Sequence, residues 1–227
     1  MWQPHAGTAD VIVVPEEVII RHCEKDKLNA KKYDTGRCSP VGKARAEYIA
    51  ELWDDGRFAR PALLVARAPT GTGARGRGVR REVDTLAPLA RATGAPVVDT
   101  LHTTSDAANR VARVVSRGAY CGASLLVCWK HEWIIALLNE LGCAGAEGCP
   151  SYWDENEFDT VVSVRYVLRR EGGGEATPLM TYDLLALEQV APAESVFDLP
   201  APWEHKTCER QVGGFPYLHV FHHFVRF

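Results

Sequence analysis

The chain has 227 residues, 46% hydrophobic and 24% charged, a composition that suits one large globular domain or two small ones and leaves little room for disorder. Twenty-six Lys plus Arg against 29 Asp plus Glu give a formal net charge of -3, so overall charge offers no attraction for nucleic acid or an anionic membrane. No apolar run approaches the roughly 20 residues that cross a bilayer, and the first ten residues lack a basic segment followed by an apolar one, so a secretory signal has no support. Seven cysteines, an odd number without CxxC spacing, argue against a disulfide framework and a structural zinc site. Reduced thiols in the cytoplasm are the expectation, although Cys143 and Cys149 could pair if oxidised.

Taken in chain order, short apolar runs alternate with segments of helical period, the pattern of parallel strands joined by crossover helices. The first strand reads Val18-Ile19-Ile20, or starts at Val11 if Pro15 interrupts an extended segment. Ser39-Pro40 supplies an N-cap and a first-turn proline, and Val41, Ala44, Tyr48, Ile49 and Leu52 then fall on one helical face that ends near Asp55-Gly56. Residues 62–66 form the second strand. A glycine-rich polar loop, 68–78, precedes a helix over 80–92, Val97-Val98 continue as a short strand, and Ser105 caps a helix reaching about Ser116. The run 124–129 is nearly all apolar, as a central strand buried on both faces should be. A helix over 132–141 follows and stops at Gly142. Residues 160–168 read as a strand, with 178–185 pairing back as a hairpin beyond Gly172-Gly173-Gly174.

These elements predict an α/β three-layer sandwich: a mostly parallel central sheet, helices on both faces, a C-terminal hairpin and an irregular tail. The expected organisation is a single domain over 1–227, with a core of about 11–188 and a tail over 189–227. Ligands of open parallel sheets bind beyond the carboxyl ends of the strands. Arg21-His22 directly follow the first strand and Lys130-His131 follow the strand 124–129. If those strands are neighbours, the two imidazoles face each other across one crevice. A neutral imidazole is a nucleophile, and arginine grips phosphate through parallel hydrogen bonds. That pairing suits phosphoryl chemistry without a metal. The tract Arg75-Gly76-Arg77-Gly78 reads as a solvated loop rather than an RNA-binding element, and His219, His222 and His223 read as exposed imidazoles of the tail.

Three blocks carry a family resemblance. Val18-Ile19-Ile20-Arg21-His22-Cys23-Glu24-Lys25, followed by Ser39-Pro40-Val41-Gly42-Lys43-Ala44-Arg45-Ala46, resembles the opening of the histidine phosphatase superfamily, the phosphoglycerate mutase-like group. There an apolar strand leads into Arg-His and a Ser-x-x-Gly-x-x-Arg-Ala helix follows. Arg81-Glu82-Val83-Asp84-Thr85-Leu86-Ala87-Pro88-Leu89-Ala90 is similar to the family's second block. Leu125-Leu126-Val127-Cys128-Trp129-Lys130-His131 resembles the strand that ends in its second histidine, and Trp153 with Phe158-Asp159 matches a further feature of small members. Cys23 stands where the family carries Gly or Ala, which places a thiol beside the nucleophile.

The resemblance implies a phosphate pocket of Arg21, His22, Arg81 and His131. His22 would attack phosphorus and carry a phosphohistidine, while Arg21, Arg81 and His131 bind the non-bridging oxygens, with no metal or other cofactor. Glu132 is the expected proton donor to the leaving oxygen, with Glu24 and Asp26 as its rivals. The expected activity is hydrolysis of a soluble phosphomonoester, from a small molecule or a phosphoprotein, with neither nucleic acid nor membrane as partner. The alternative is a catalytically weak relative that binds a phosphorylated ligand or a protein. Neither the physiological substrate nor the oligomeric state is encoded legibly.

Overall fold

The computed structural model describes residues 10–13, 16–25, 36–54, 59–71, 78–116, 124–144, 149–170 and 177–186. The elements run β1 (Asp10–Val13), β2 (Glu16–Arg21), α1 (Pro40–Asp54), β3 (Pro61–Arg67), α2 (Arg81–Thr93), β4 (Val97–Leu101), α3 (Thr104–Ser116), β5 (Ser124–Trp129), α4 (His131–Glu140), β6 (Thr160–Arg170) and β7 (Thr177–Ala186). The seven strands form one sheet in the order β1-β6-β2-β5-β3-β4, with β7 on β6. The half β2-β5-β3-β4 is parallel, and every pairing made by β6 is antiparallel.

All six residues of β5 are buried, in keeping with its place between β2 and β3 and its unbroken apolar run. Helices cover both faces. Val18, Ile20, Leu64, Leu126 and Cys128 pack with Ile49, Leu52 and Trp53 of α1 and Leu86 and Leu89 of α2. Ile19, Leu63, Val65, Leu125, Val127 and Trp129 point to the other face and pack with Ala107, Val111 and Val114 of α3 and Ile134, Leu137 and Leu138 of α4. Period-two alternation along each strand thus feeds two separate cores. The three-layer α/β sandwich is therefore the observed architecture.

Several local expectations shift. Of the two openings the sequence allowed, the earlier start near Val11 is the one observed, as the two strands β1 and β2 on either side of Pro15 in the chain. Because β7 occupies one edge of β6 over residues 160–169, β1 and β2 share its other edge, facing 167–170 and 161–164 respectively. Helix α3 is capped by Thr103 rather than Ser105: Asp106 N donates to Thr103 Oγ1, and Thr103 N donates to Asp106 Oδ2, a reciprocal capping arrangement. Gly142, with φ 95°, follows α4 as expected. The loop segment 72–77, the triple glycine and the tail with His219, His222 and His223 lie outside the described residues.

The expectation of reduced thiols is corrected. Among the described residues two disulfides are present, Cys23–Cys38 and Cys143–Cys149, with Cys128 a buried free thiol. Cys143 and Cys149 are only 6 residues apart, a pairing that the spacing left open. Cys23 and Cys38 are 15 residues apart, and only the docking of α1 against the segment after β2 brings their Cα atoms to 5.5 Å. Closing such a loop restricts the unfolded chain by about 3 kcal/mol in the chain-entropy account.

Candidate active site

Parallel pairing of β2 with β5 places Arg21 opposite Trp129, and His22 N donates to Trp129 O at 3.2 Å. The strands that end in the two histidines are therefore neighbours. The His22 and His131 rings stand 6.1 Å apart between centroids at an interplanar angle of 78°. Arg81 is the first residue of α2 and His131 the first of α4, so each stands at a helix N-terminus, where exposed amides favour an anion.

His22 is 2% exposed, and its Nδ1 lies 2.8 Å from the carbonyl oxygen of Cys23. A carbonyl only accepts, so Nδ1 carries the proton and the lone pair is left on Nε2. Burial, reinforced by the Arg81 charge, lowers the imidazole pKa to about 3. His22 is thus neutral at physiological pH, the form that can attack phosphorus. His131 is also pushed below the usual imidazole range, by desolvation first and by Arg21 next.

Arg21 is 5% exposed and is held from outside the sheet. Its NH1 donates to the backbone carbonyls of Asp154, Glu155 and Glu157 at 3.3, 2.6 and 2.9 Å, and its guanidinium lies 3.7 Å from the centre of the Phe158 ring. Burial pushes its pKa down to about 10, so it stays charged. The same loop is pinned by Trp153 Nε1 donating to Glu157 O at 3.2 Å and by an ion pair of Asp159 with Arg45, which also reaches Glu24 at 2.6 Å. Trp153, Phe158, Asp159 and Arg45 therefore serve the pocket by fixing Arg21.

Arg21 Nε, His22 Nε2, Arg81 Nε and His131 Nδ1 are all buried and find no hydrogen-bond partner among the described residues. Burying such atoms unpaired costs about 1–3 kcal/mol each. A tetrahedral oxyanion held between two guanidinium groups and a second imidazole would satisfy groups of this kind.

Glu132 does not point into this cluster as an isolated acid. Its side chain is 53% exposed and bonded to Lys130 Nζ at 2.6 Å, and that hydrogen bond, first among the causes, lowers its pKa. Glu24 is engaged with Arg45, and Asp26 lies outside the described residues. Glu82, which sequence reasoning passed over, is 3% exposed in the first turn of α2, and burial raises its pKa despite Arg81, Arg67 and Lys130. An acidic residue at a helix start reads as a dipole complement, so nothing in the sequence marks its burial. Among the described residues no group of three or more His, Cys, Asp or Glu side chains could hold a metal ion, and no helix is long and apolar enough to cross a membrane.

No family model and no curated protein matches the sequence. Solved structures do. One titled mycobacterial hydrolase 2 aligns with 16% identity over 80% of this chain and 94% of its own, with a TM-score of 0.53. Mycobacterial hydrolase 1 aligns with 15% identity over 81% and 100%, TM-score 0.45. A mycobacterial glucosyl-3-phosphoglycerate phosphatase aligns with 14% identity over 77% and 99%, TM-score 0.48. At 16% identity the likeness to mycobacterial hydrolase 2 speaks for the fold alone.

The lowered His22 pKa sets a pH expectation. After correction for substrate ionisation, kcat/KM should show no acid limb near 6.5 and should stay level down to about pH 5. Stability should behave differently. The unfolded chain takes up the His22 proton below about pH 6.5, whereas the folded chain resists until about 3, so this residue makes stability fall as pH drops through that interval, by about 1.4 kcal/mol per unit at most. Denaturant titrations of His22→Gln should show a shallower acid loss than the parent; identical slopes would contradict the assigned burial cost.

Proposed function

We propose that the protein is a phosphatase that hydrolyses a soluble phosphomonoester through a phosphohistidine on His22, without a metal. The observation that carries this reading is the set of four unpartnered buried nitrogens on Arg21, His22, Arg81 and His131, joined to a nucleophile whose tautomer is fixed by the Cys23 carbonyl.

His22 Nε2 forms a bond to phosphorus as the bond from phosphorus to the leaving oxygen breaks. Arg21, Arg81 and His131 bind the three non-bridging oxygens and offset the charge that spreads over them. The leaving oxygen takes a proton and departs as an alcohol. Water then attacks phosphorus, the phosphorus–nitrogen bond breaks, and inorganic phosphate leaves with His22 restored.

Glu132 is the donor we propose for the first step and the acceptor of the water proton in the second. Its ion pair with Lys130 holds it ionised in the resting protein, so the charge of the bound phosphoryl dianion has to raise its pKa. Glu132→Gln should lose roughly 10²-fold in kcat on an alkyl phosphate and only a few-fold on an aryl phosphate with a good leaving group. Equal losses, or none, move the role to Glu24 or Asp26.

The substrate we propose is a small molecule or a phosphoprotein rather than a nucleic acid or a membrane lipid, since the net charge of -3 attracts neither polyanionic surface. The setting we propose is the cytoplasm, where dithiol systems oppose disulfides and the oxidation state of the buried Cys23–Cys38 pair becomes a variable. Phosphate release from sugar phosphates, nucleotides, phosphopeptides and an aryl phosphate, with and without chelator, tests the proposal. Turnover insensitive to chelator supports it; binding of phosphate without any turnover supports a phospholigand-binding module instead.

A further inference from the structure

We propose that the Cys23–Cys38 disulfide positions the nucleophile, so that turnover at the His22 site depends on the oxidation state of this pair; the inference rests on the phosphatase reading.

Cys23 is the neighbour of His22 in the chain and the residue whose carbonyl holds Nδ1, at 2.8 Å. The location of that carbonyl is fixed by three contacts. Cys23 N donates to Thr85 Oγ1 at 2.8 Å, and Thr85 Oγ1 donates to Arg81 O at 2.7 Å. Gly42 of α1 packs so closely that a Cβ there would lie 2.9 Å from Cys23 Cβ and 2.7 Å from Glu24 O. The third is covalent, the bond to Cys38. Both sulfurs also touch the Arg81 carbonyl oxygen, at 3.7 and 3.9 Å. Around Cys38, Ser39 N donates to Glu24 O at 2.8 Å and Arg80 N donates to Gly36 O at 2.7 Å. The disulfide therefore sits between the backbone segments that carry His22 and Arg81, and both of its sulfurs are buried. The second disulfide, Cys143–Cys149, lies beyond the far end of α4 and bonds none of these residues.

Reduction by a dithiol is a balanced two-electron exchange. A reductant thiolate attacks the Cys38 sulfur, on the more exposed residue of the pair at 6% against 0% for Cys23, and Cys23 leaves as a thiolate. The reductant's second thiol then displaces Cys38 and closes the reductant's own disulfide. The two protons of the dithiol end on the two cysteines. Sulfurs that were bonded must then part to van der Waals distance in a region already crowded by Gly42 and Thr85. A displacement on the order of 1 Å at the Cys23 carbonyl misaims Nε2, and misplacements of that size cost up to about 10²-fold in rate. Phosphate binding through the guanidinium of Arg21, which is held by residues 154–158, should survive.

The test compares oxidised and dithiothreitol-reduced protein with an aryl phosphate, following kcat, the inhibition constant of inorganic phosphate, and the rate of phosphoenzyme formation in a single turnover. Alkylation and peptide mass mapping establish which disulfide is open. Opening Cys23–Cys38 should lower kcat and the single-turnover rate by roughly tenfold or more, with phosphate inhibition changed by less than about threefold, and reoxidation should restore both rates. Cys38→Ser should have the low rate without reductant and ignore its addition, whereas Cys143→Ser should respond as the parent does. Equal kcat in both states, with cleavage verified, overturns the inference and leaves the phosphatase reading standing. Loss of phosphate binding and of circular dichroism together with kcat also overturns it, in favour of a purely structural staple. Absence of phosphate release in either state overturns both.

Discussion

His22→Ala abolishes phosphate release while the sheet stays intact. The residue follows the last position of β2, and among the described residues its imidazole makes one protein hydrogen bond, to the adjacent Cys23 carbonyl, so deleting it breaks no hydrogen bond between helices and strands, though it removes the edge contact with the His131 ring. Its burial as a neutral ring costs little that alanine would lose, beyond the volume of the ring. What disappears is a buried, unprotonated lone pair at the junction of β2 and β5, beside Arg21 and Arg81. Loss of a nucleophile is a loss of several powers of ten, because no bond to phosphorus can form at that position. Phosphate release by the variant, measured beside its far-ultraviolet circular dichroism, checks both halves of the expectation. Parent-like turnover by a folded variant would remove His22 from the chemistry.

Arg81→Ala and Arg21→Ala each lower kcat/KM by about 10²-fold or more. In a water-poor site a charge-assisted contact to the transferring group contributes about 3 kcal/mol to the transition state. The two substitutions should differ in their side effects. Arg21 is the hub on which the carbonyls of Asp154, Glu155 and Glu157 and the Phe158 ring converge. Its removal strands those three acceptors and should also cost stability, by about 1–3 kcal/mol. Among the described residues Arg81 has no comparable cage, and its Nε is unpartnered there, so Arg81→Ala should leave the melting temperature nearly unchanged. Vanadate and inorganic phosphate should bind correspondingly less well to both variants. Dependence on Arg80 or Arg67 in place of Arg81 would place the phosphate elsewhere on the crevice.

The parallel half of the fold was legible because each of its strands carries a short apolar run, at 18–20, 62–66 and 97–98, set off by polar residues or proline, and because 124–129 is apolar at every position but one. The pairing of His22 with His131 was legible only on condition that the two strands are neighbours, a condition the parallel pairing of β2 with β5 meets. The supports of the site were less visible. The Phe158 ring on Arg21 depends on the loop before β6 folding back over β2, and 133 or more residues separate Arg21 from its three acceptors. The Cys23–Cys38 bond is tertiary in the same sense: neither spacing nor motif joins a residue after a strand to one before a helix. Burial of Glu82 and exposure of Glu132 reverse what position alone suggests. Both acids stand in the first turn of a helix, and only the neighbours packed against them separate the two.

The most direct measurement is a rapid quench, without acid, of the parent protein mixed with a phosphomonoester carrying labelled phosphorus, followed by peptide mapping of the trapped label. Phosphohistidine is acid-labile and survives base, which separates it from phosphoserine and from an acyl phosphate. The account predicts a transient acid-labile label on the peptide that contains His22, formed at least as fast as phosphate is released. Label on His131, or turnover with no labelled protein at any time, would contradict it.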